Sequence, residues 1–489
     1  MIFPGFIGSS NTTRSPFTNR ERCVNLNCEV SEVPGAKAQI VMYARQGLRN
    51  SVSTGLGRSR AFFEQNGRTF EVKGSTLIEW LDTNPMTYTS RGTIADDGLQ
   101  ATISSNGVEL FVTGGGNGYI LTLATNVLAQ ITAAAFPGAS MGAFLDGYFI
   151  ALKPNSRQIN VSGLYDGATW PADAYTVISN DTDNLVGIIV DHNQLWVWGG
   201  QNGHLYQDTG NPTFPFEQTL SPGSQVETGL AAPFSLAQLD NAIFLLDANS
   251  RGQGTVYRLQ GYLPQRISTH AVEFAIEGYA TIADAIAWTY DDQGHSFYVL
   301  YFPTAGKTWQ YDVSTGLWNE MTFYNSTTGI EEAHRGSAHV FAFGKHLIGD
   351  RANGKLYEAS IDAYDDDGEP IERIRQCPHV SVEQKWIFYK MLQLDMEVGI
   401  GLDGIPPPAS GDPDPVGYNP KVMLQYSDDA GNSWSNARWM SAGRLGQYKR
   451  RVRWLRLGKS RDRIFRVKMT EAVKTNWIQA FIEFDIGTS

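Results

Sequence analysis

One local pattern recurs along most of this chain and limits what it can fold into. From about Ala61 to Ile361, a short apolar strand is followed by a glycine or polar turn, then by a second strand with an aromatic or β-branched residue. The clearest copy is Leu195-Trp196-Val197-Trp198, Gly199-Gly200, then Gly203-His204-Leu205-Tyr206-Gln207-Asp208. Leu110-Phe111-Val112, Gly114-Gly115-Gly116 and Tyr119-Ile120-Leu121 repeat it, as do Phe244-Leu245-Leu246 and Val256-Tyr257-Arg258-Leu259. The second strands centre near Phe70, Ile120, Ile159, Leu205, Val256, Trp309 and Leu356, 39 to 53 residues apart. A period of ~40–50 residues with several short strands per unit is that of a β-propeller blade, a small sheet that must stack on its neighbours to bury its faces. Six or seven blades both fit the spacing. A string of unrelated hairpins in a sandwich is the competing arrangement.

The flanking segments read differently. Residues 1–45 are interrupted by Pro4-Gly5, Ser9-Ser10-Asn11 and Ser15-Pro16, which predicts an irregular N-terminal arm. The propeller is assigned to residues 46–370. It ends at Asp365-Asp366-Asp367-Gly368-Glu369-Pro370, read as a solvated acidic turn at a domain boundary. From 371 to 489 strands resume. Leu392, Leu394, Met396 and Val398 share one face, and Phe465, Val467 and Met469 alternate with Arg466, Lys468 and Thr470. A final strand spans Trp477 to Ile486, and a proline- and glycine-rich loop occupies 399–420. The expected fold is all-β: a propeller, a C-terminal β-sandwich and an N-terminal arm.

Composition supports this class. Fifty glycines and 12% aromatic residues favour turns and strands over helices. No apolar run approaches the ~20 residues that a bilayer crossing needs, and Met1-Ile2-Phe3-Pro4-Gly5 lacks a basic segment ahead of an apolar core, so no signal peptide is expected. The three cysteines, Cys23, Cys28 and Cys377, are too few for a disulfide framework. No Cys/His pair completes Cys23 and Cys28 into a four-ligand zinc site. His334 and His339 lie near Glu331 and Glu332 without helical metal spacing and read as ordinary surface or turn residues. Gly114-Gly115-Gly116 lacks the Lys-Ser/Thr of a phosphate loop and reads as a hairpin turn. No catalytic arrangement, metal site or cofactor is expected.

Two stretches near the C-terminus stand out. Ser427-x-Asp429-x-Gly431-x-Ser433-Trp434 has the Asp-box pattern. Asp429 can accept turn N–H bonds, Gly431 can take positive φ, and Trp434 can pack beneath the hairpin. The same turn recurs structurally in sialidase-like and glycan-binding propellers, which makes that class the alternative reading. Here it occurs once, outside the repeats. The second stretch, residues 438–468, holds twelve Lys/Arg and one acid, Asp462. Its local charge is +11 within a chain of net charge −11, so the remainder carries −22. Arg450, Arg451, Arg453 and Arg456 surround Val452, Trp454 and Leu455, and Arg461 and Arg463 follow as further candidates. Mixed charge and apolar anchors fit a subunit interface. Contact with DNA phosphates and simple solvation are the other readings.

Four segments together resemble one family. They are Phe3-Pro4-Gly5-Phe6-Ile7-Gly8, Val161 to Trp170 (VSGLYDGATW), Val256 to His270 (VYRLQGYLPQRISTH) and the block from Leu392 through Lys468. The chain resembles the packaged-DNA stabilisation proteins, the tail hub or nozzle of short-tailed bacteriophages (podoviruses). The resemblance implies a virion tail component made in the host cytoplasm, with no enzymatic activity. It implies a ring of six copies below the portal and its adaptor ring that extends the DNA channel and helps retain packaged DNA. Portal–adaptor ring proteins, other copies of the chain, tail fibre, spike or needle proteins, and DNA passing without sequence-specific contact are the implied partners.

Overall fold

The computed structural model describes residues 1–33, 35–178, 183–219, 225–248, 254–410 and 412–487. Among these, seven sheets of at least four strands follow one another around an axis. Six lie within residues 59–93, 102–130, 141–177, 185–218, 237–266 and 286–320, and the seventh combines three strands within 336–360 with one within 47–53. In a typical blade the middle strands are covered on both faces. In the second blade, Leu110 to Gly114 and Gly118 to Leu121 are all buried, whereas the outermost strand Val127–Gln130 is largely exposed. A strand covered on both faces needs a continuous apolar run rather than alternation, and such runs are what make the repeat visible. The hairpin between those middle strands turns on Gly115 (φ +59°) and Gly116 (φ +74°). A Cβ on Gly115 would lie 2.5 Å from the Ala95 Cβ.

Apolar clusters weld neighbouring blades. Phe70, Val72 and Leu77 meet Leu110, Val112 and Leu121 between the first and second. Ile78 and Trp80 meet Leu347 and Leu356 between the first and seventh, which closes the circle. The seventh blade takes its outer strand from upstream of the first: Gly47–Ser53 runs antiparallel to Lys355–Ser360. The chain thus fastens the ring with a strand from the opposite end of the domain.

The sandwich comprises β1 (Arg20–Val24), β2 (Leu26–Val30), β3 (Ile40–Ala44), β4 (Arg373–Gln376), β5 (Ile387–Met396), β6 (Lys421–Ser427), β7 (Arg438–Ser441), β8 (Val452–Ser460), β9 (Asp462–Met469) and β10 (Asn476–Ile486). One sheet has the order β2-β3-β10-β5-β8, and the other β1-β4-β9-β6-β7. Their inner faces share one core that includes Met42, Leu392, Leu424, Trp454, Phe465, Val467 and Trp477.

Three expectations are corrected. Residues 1–45 are not an irregular arm throughout, because β1, β2 and β3 are integral sandwich strands and the breakers all fall in the loop ahead of β1. The buried Arg375 pins the preceding loop by donating to the carbonyls of Gly5 (2.7 Å), Phe6 (2.5 Å) and Ser9 (3.1 Å). Asp366 is not in a solvated turn. It is fully buried and forms a bidentate pair with Arg45, at 2.6 and 3.0 Å. His334 is not a surface residue; it is 1% exposed, and burial together with the nearby Arg45, Arg351 and Arg335 holds its pKa well below the usual histidine value.

The two domains join through hydrogen-bonded backbone. Val24 in β1 pairs in parallel with Glu320 of the sixth blade, so that blade and one sandwich sheet form a continuous surface. Arg22 reinforces the seam with a bidentate contact to Glu320 and a 2.8 Å bond to Glu331.

Candidate functional site

The basic segment folds into β8, the edge strand of its sheet, and β9, an interior strand of the other. Along β8 burial alternates at first: Val452 and Trp454 point into the core, while Arg453 and Leu455 point out. The alternation then breaks. Arg456 adopts φ +55°, and two residues of β8 face Lys390 alone, since Leu455 pairs with Met391 and Gly458 with Tyr389. This β-bulge lets Arg456 face outward directly after Leu455 before Leu457 returns to the core.

The result is an open, cationic sheet edge. Arg450, Arg451, Arg453, Arg456 and Arg461 are exposed. Among the described residues, none of them has a carboxylate within ion-pair distance. Large apolar side chains lie among them: Trp439 is 53% exposed, Leu445 51%, Tyr448 70% and Leu455 55%. The neighbouring edge strand β7 is tied to β8 by three bonds. The Trp454 indole donates to the Arg438 carbonyl (2.8 Å), and Arg438 Nη1 donates to the carbonyls of Leu455 (3.3 Å) and Arg456 (3.2 Å). Both sheets thus end on one side of the sandwich, with arginines around an aromatic and aliphatic centre.

Two of the candidate interface residues do other work. Trp454 is 2% exposed and belongs to the core. Arg463 is also 2% exposed; it points inward, binds Asp428 through both carboxylate oxygens (2.6 and 2.7 Å), donates to the Leu457 carbonyl (2.5 Å) and stacks 4.0 Å from the Tyr426 ring centre. The structure adds Trp439, Leu445 and Tyr448 to the surface instead. Their sequence signal is modest: large apolar residues in a polar, arginine-rich stretch next to the edge strand.

The turn after β6 brings Ser427, Asp429, Gly431 and Ser433 together. The Asp429 carboxylate accepts from Ser427 Oγ (2.7 Å), the Ser433 amide (2.8 Å) and Ser433 Oγ (2.6 Å), and Ser427 Oγ accepts from the Gly431 amide (2.8 Å). Gly431 has φ +84°, and an added Cβ would meet the Arg20 side chain at 2.9 Å. The hydroxyls of Ser427 and Ser433 stabilise the ionised form and pull the Asp429 pKa down to about 2. Trp434 is half-buried, and the Arg466 guanidinium stacks 3.8 Å from its ring centre. Burial pushes the Arg466 pKa down to about 10. The Asp429 carboxylate and both serine hydroxyls are engaged in holding the turn, and Arg20 of β1 donates to the Ala430 carbonyl (2.9 Å), so the arrangement anchors the hairpin onto β1.

The cysteines are free and buried. Among the described residues no cluster of three or more metal-ligating side chains is found, and no helix is long and apolar enough to cross a membrane.

Comparison with known proteins covers nearly the whole chain. A family model described as bacteriophage P22 Gp10, β-propeller, matches residues 6–363, and a second, bacteriophage P22 Gp10, β-sandwich, matches residues 372–485. A search of curated protein sequences finds no match. Among solved structures, YCF48 from Cyanidioschyzon merolae is 13% identical with a TM-score of 0.43, covering 65% of this chain and 98% of that one. The Swd1 β-propeller domain of Myceliophteria thermophila is 9% identical with a TM-score of 0.42, covering 64% and 99%. The WD40 propeller domain of Doa1 is 8% identical with a TM-score of 0.40, covering 64% and 96%. These distant likenesses bear on no functional question, but the two family matches do: the chain belongs to the bacteriophage P22 Gp10 family, structural proteins of the virion tail with a role in stabilising packaged DNA.

Proposed function

We propose that the chain forms the hub, or nozzle, of a phage tail: a ring of six copies below the portal and adaptor that extends the DNA channel. In this reading it retains packaged DNA and anchors a distal fibre, spike or needle protein. The observation that carries the proposal is the unpaired arginine edge around Trp439, Tyr448 and Leu455, on a sandwich rigidly joined to a propeller. An exposed sheet edge is a template for association, and arginines around aromatic anchors are the composition of protein interfaces. The acidic remainder suits the channel wall, because negative charge repels phosphates and lets DNA slide.

Arg451→Glu with Arg453→Glu tests this. Both side chains are exposed, so the monomer should fold and melt as the wild type does, while tails should fail to assemble on portal–adaptor complexes viewed by electron microscopy. Normal tails from that variant would overturn the interface assignment. Hydrolysis of a sialoside by the purified protein would favour the glycosidase alternative, for which the engaged Asp429 turn offers no reactive group.

A further inference from the structure

The opposite edge of the same sandwich sheet carries the opposite charge. In the order β2-β3-β10-β5-β8, the cationic β8 lies at one end and β2 at the other. With four inter-strand steps of ~4.8 Å, the two edges are separated by roughly 19 Å. The C-terminal half of β2 and the residues that follow border a cleft of about 1020 Å³, whose far wall is made by turns of the sixth blade at Gln293-Gly294 and Ser314-Thr315. Glu29 and Glu32 line it and are exposed. The nearby cations are already taken: Lys37 by Asp395 (2.6 Å) and Lys474 by Glu397 (3.1 Å). Among the described residues neither Glu29 nor Glu32 has an ion-pair partner. An adjoining cleft of about 660 Å³ shares Glu29, Tyr43, Gln293 and Asn476 and adds Asp292 and Asp362. Apolar surface accompanies the charge here as well, with Val30 47% exposed and Tyr43 36%.

Each edge therefore lacks what the other supplies: unpaired carboxylates beside exposed Val30 and Tyr43, and unpaired guanidinium groups beside exposed Leu455 and Trp439. Surfaces that complement one another from opposite sides of a molecule cannot pair as a two-fold dimer. They join head to tail, and such contacts close into rings when the rotation allows. We infer that the cleft bordered by Glu29 and Glu32 receives the Arg451–Arg453 edge of a second copy of this chain, making β8-to-β2 docking the lateral contact of the ring. The inference rests on the ring reading above and specifies its contact. Like charges brought together at this seam repel, so the pairing also fixes the orientation of each copy.

The test uses two full-length charge-reversed chains, Glu29→Lys/Glu32→Lys and Arg451→Glu/Arg453→Glu, with folding checked by circular dichroism and thermal melting. Each alone should give no rings on portal–adaptor complexes, because like charges meet at every seam. Mixed in equal amounts they should regain rings, since a reversed cleft accepts a reversed edge and a native cleft a native edge. Native mass spectrometry should then find equal numbers of the two chains per ring. Glu29→Gln/Glu32→Gln, which removes charge without reversing it, should lower ring yield by about tenfold or more at physiological salt, for a lost contribution of ~1.4 kcal/mol. Wild-type rings together with intact Glu29→Lys/Glu32→Lys rings, or folded variants that fail to rescue one another, would overturn the inference and leave the ring reading standing. A wild-type chain that never forms rings would overturn the ring reading and the inference with it.

Discussion

Replacing Asp366 with alanine should be among the most damaging single changes outside the apolar cores. Arg45 and Asp366 are 1% and 0% exposed. The guanidinium has five N–H groups, and all five are used. Nε donates to Asn25 Oδ1 (2.8 Å), Nη1 to the Gln46 carbonyl (2.6 Å) and Asp366 Oδ1 (3.0 Å), and Nη2 to the Thr322 carbonyl (3.0 Å) and Asp366 Oδ2 (2.6 Å). Asp366→Ala leaves a buried charge uncompensated and two of its donors without acceptors. Breaking a buried pair by removing one partner costs ~3–5 kcal/mol. For a cooperative unit of ~150–250 residues, each kcal/mol moves the thermal midpoint by ~2–4 °C. The expected drop is therefore roughly 6–20 °C, read by scanning fluorimetry and accompanied by faster amide exchange around Asn25 and Thr322. Arg45→Met combined with Asp366→Leu removes both charges and should recover much of the loss, because an apolar pair of similar volume carries no desolvation penalty. An Asp366→Ala midpoint within about 2 °C of wild type, or a double variant no better than the single, would refute the argument.

Other outcomes follow from the same reasoning. Asp429→Ala should lower the sandwich melting temperature at pH 7. The carboxylate is held low in the folded protein, so its contribution is full above the ordinary aspartate range and is lost as pH falls toward about 2; the variant should be insensitive over that window. His334 is held neutral by burial, so the unfolded chain binds the extra proton and stability should fall as pH drops below ~6.5, at up to tenfold in the folding equilibrium per pH unit. His334→Phe should flatten that slope, as measured by denaturant midpoints between pH 7.5 and 5. Gly115→Ala should destabilise the second blade by ~1–3 kcal/mol, from the positive φ and the clash with Ala95; an unchanged midpoint would show that the turn relaxes without cost.

The propeller was legible because its strongest signal is local. Six of the seven repeat centres, from Ile120 to Leu356, fall in the third strand of successive blades, where both faces are covered. Phe70 is the exception; it lies in the second strand of its blade. The strand that fastens the ring was not legible as such. Gly47–Ser53 reads GLRNSVS, and its partner Leu356 lies 304 residues beyond Val52. The same holds for β1 (RERCV), whose Arg22 pairs with Gln376, 354 residues further on, whereas β2 (LNCEV) pairs with the nearby β3 and joins the sheet through it. At the surface, Trp454 is expected among the interface residues but points into the core beside Val452, and the bulge at Arg456 shifts the rest of the strand. Arg463 faces inward because Asp428, 35 residues away, compensates its charge, a pairing that no local pattern announces.

The joint between the two domains has a mechanical consequence. The backbone passes between them near residues 45–46 and again across 361–372, and the Arg45–Asp366 pair clasps the two passages together. A joint with one passage is a hinge; two clasped passages beside a continuous sheet have no free axis to turn about. Torque or tension on the sandwich is then loaded onto strands in parallel and reaches the propeller as strain in the sixth and seventh blades. A tail protein built this way would pass a tug on one domain to the other instead of absorbing it.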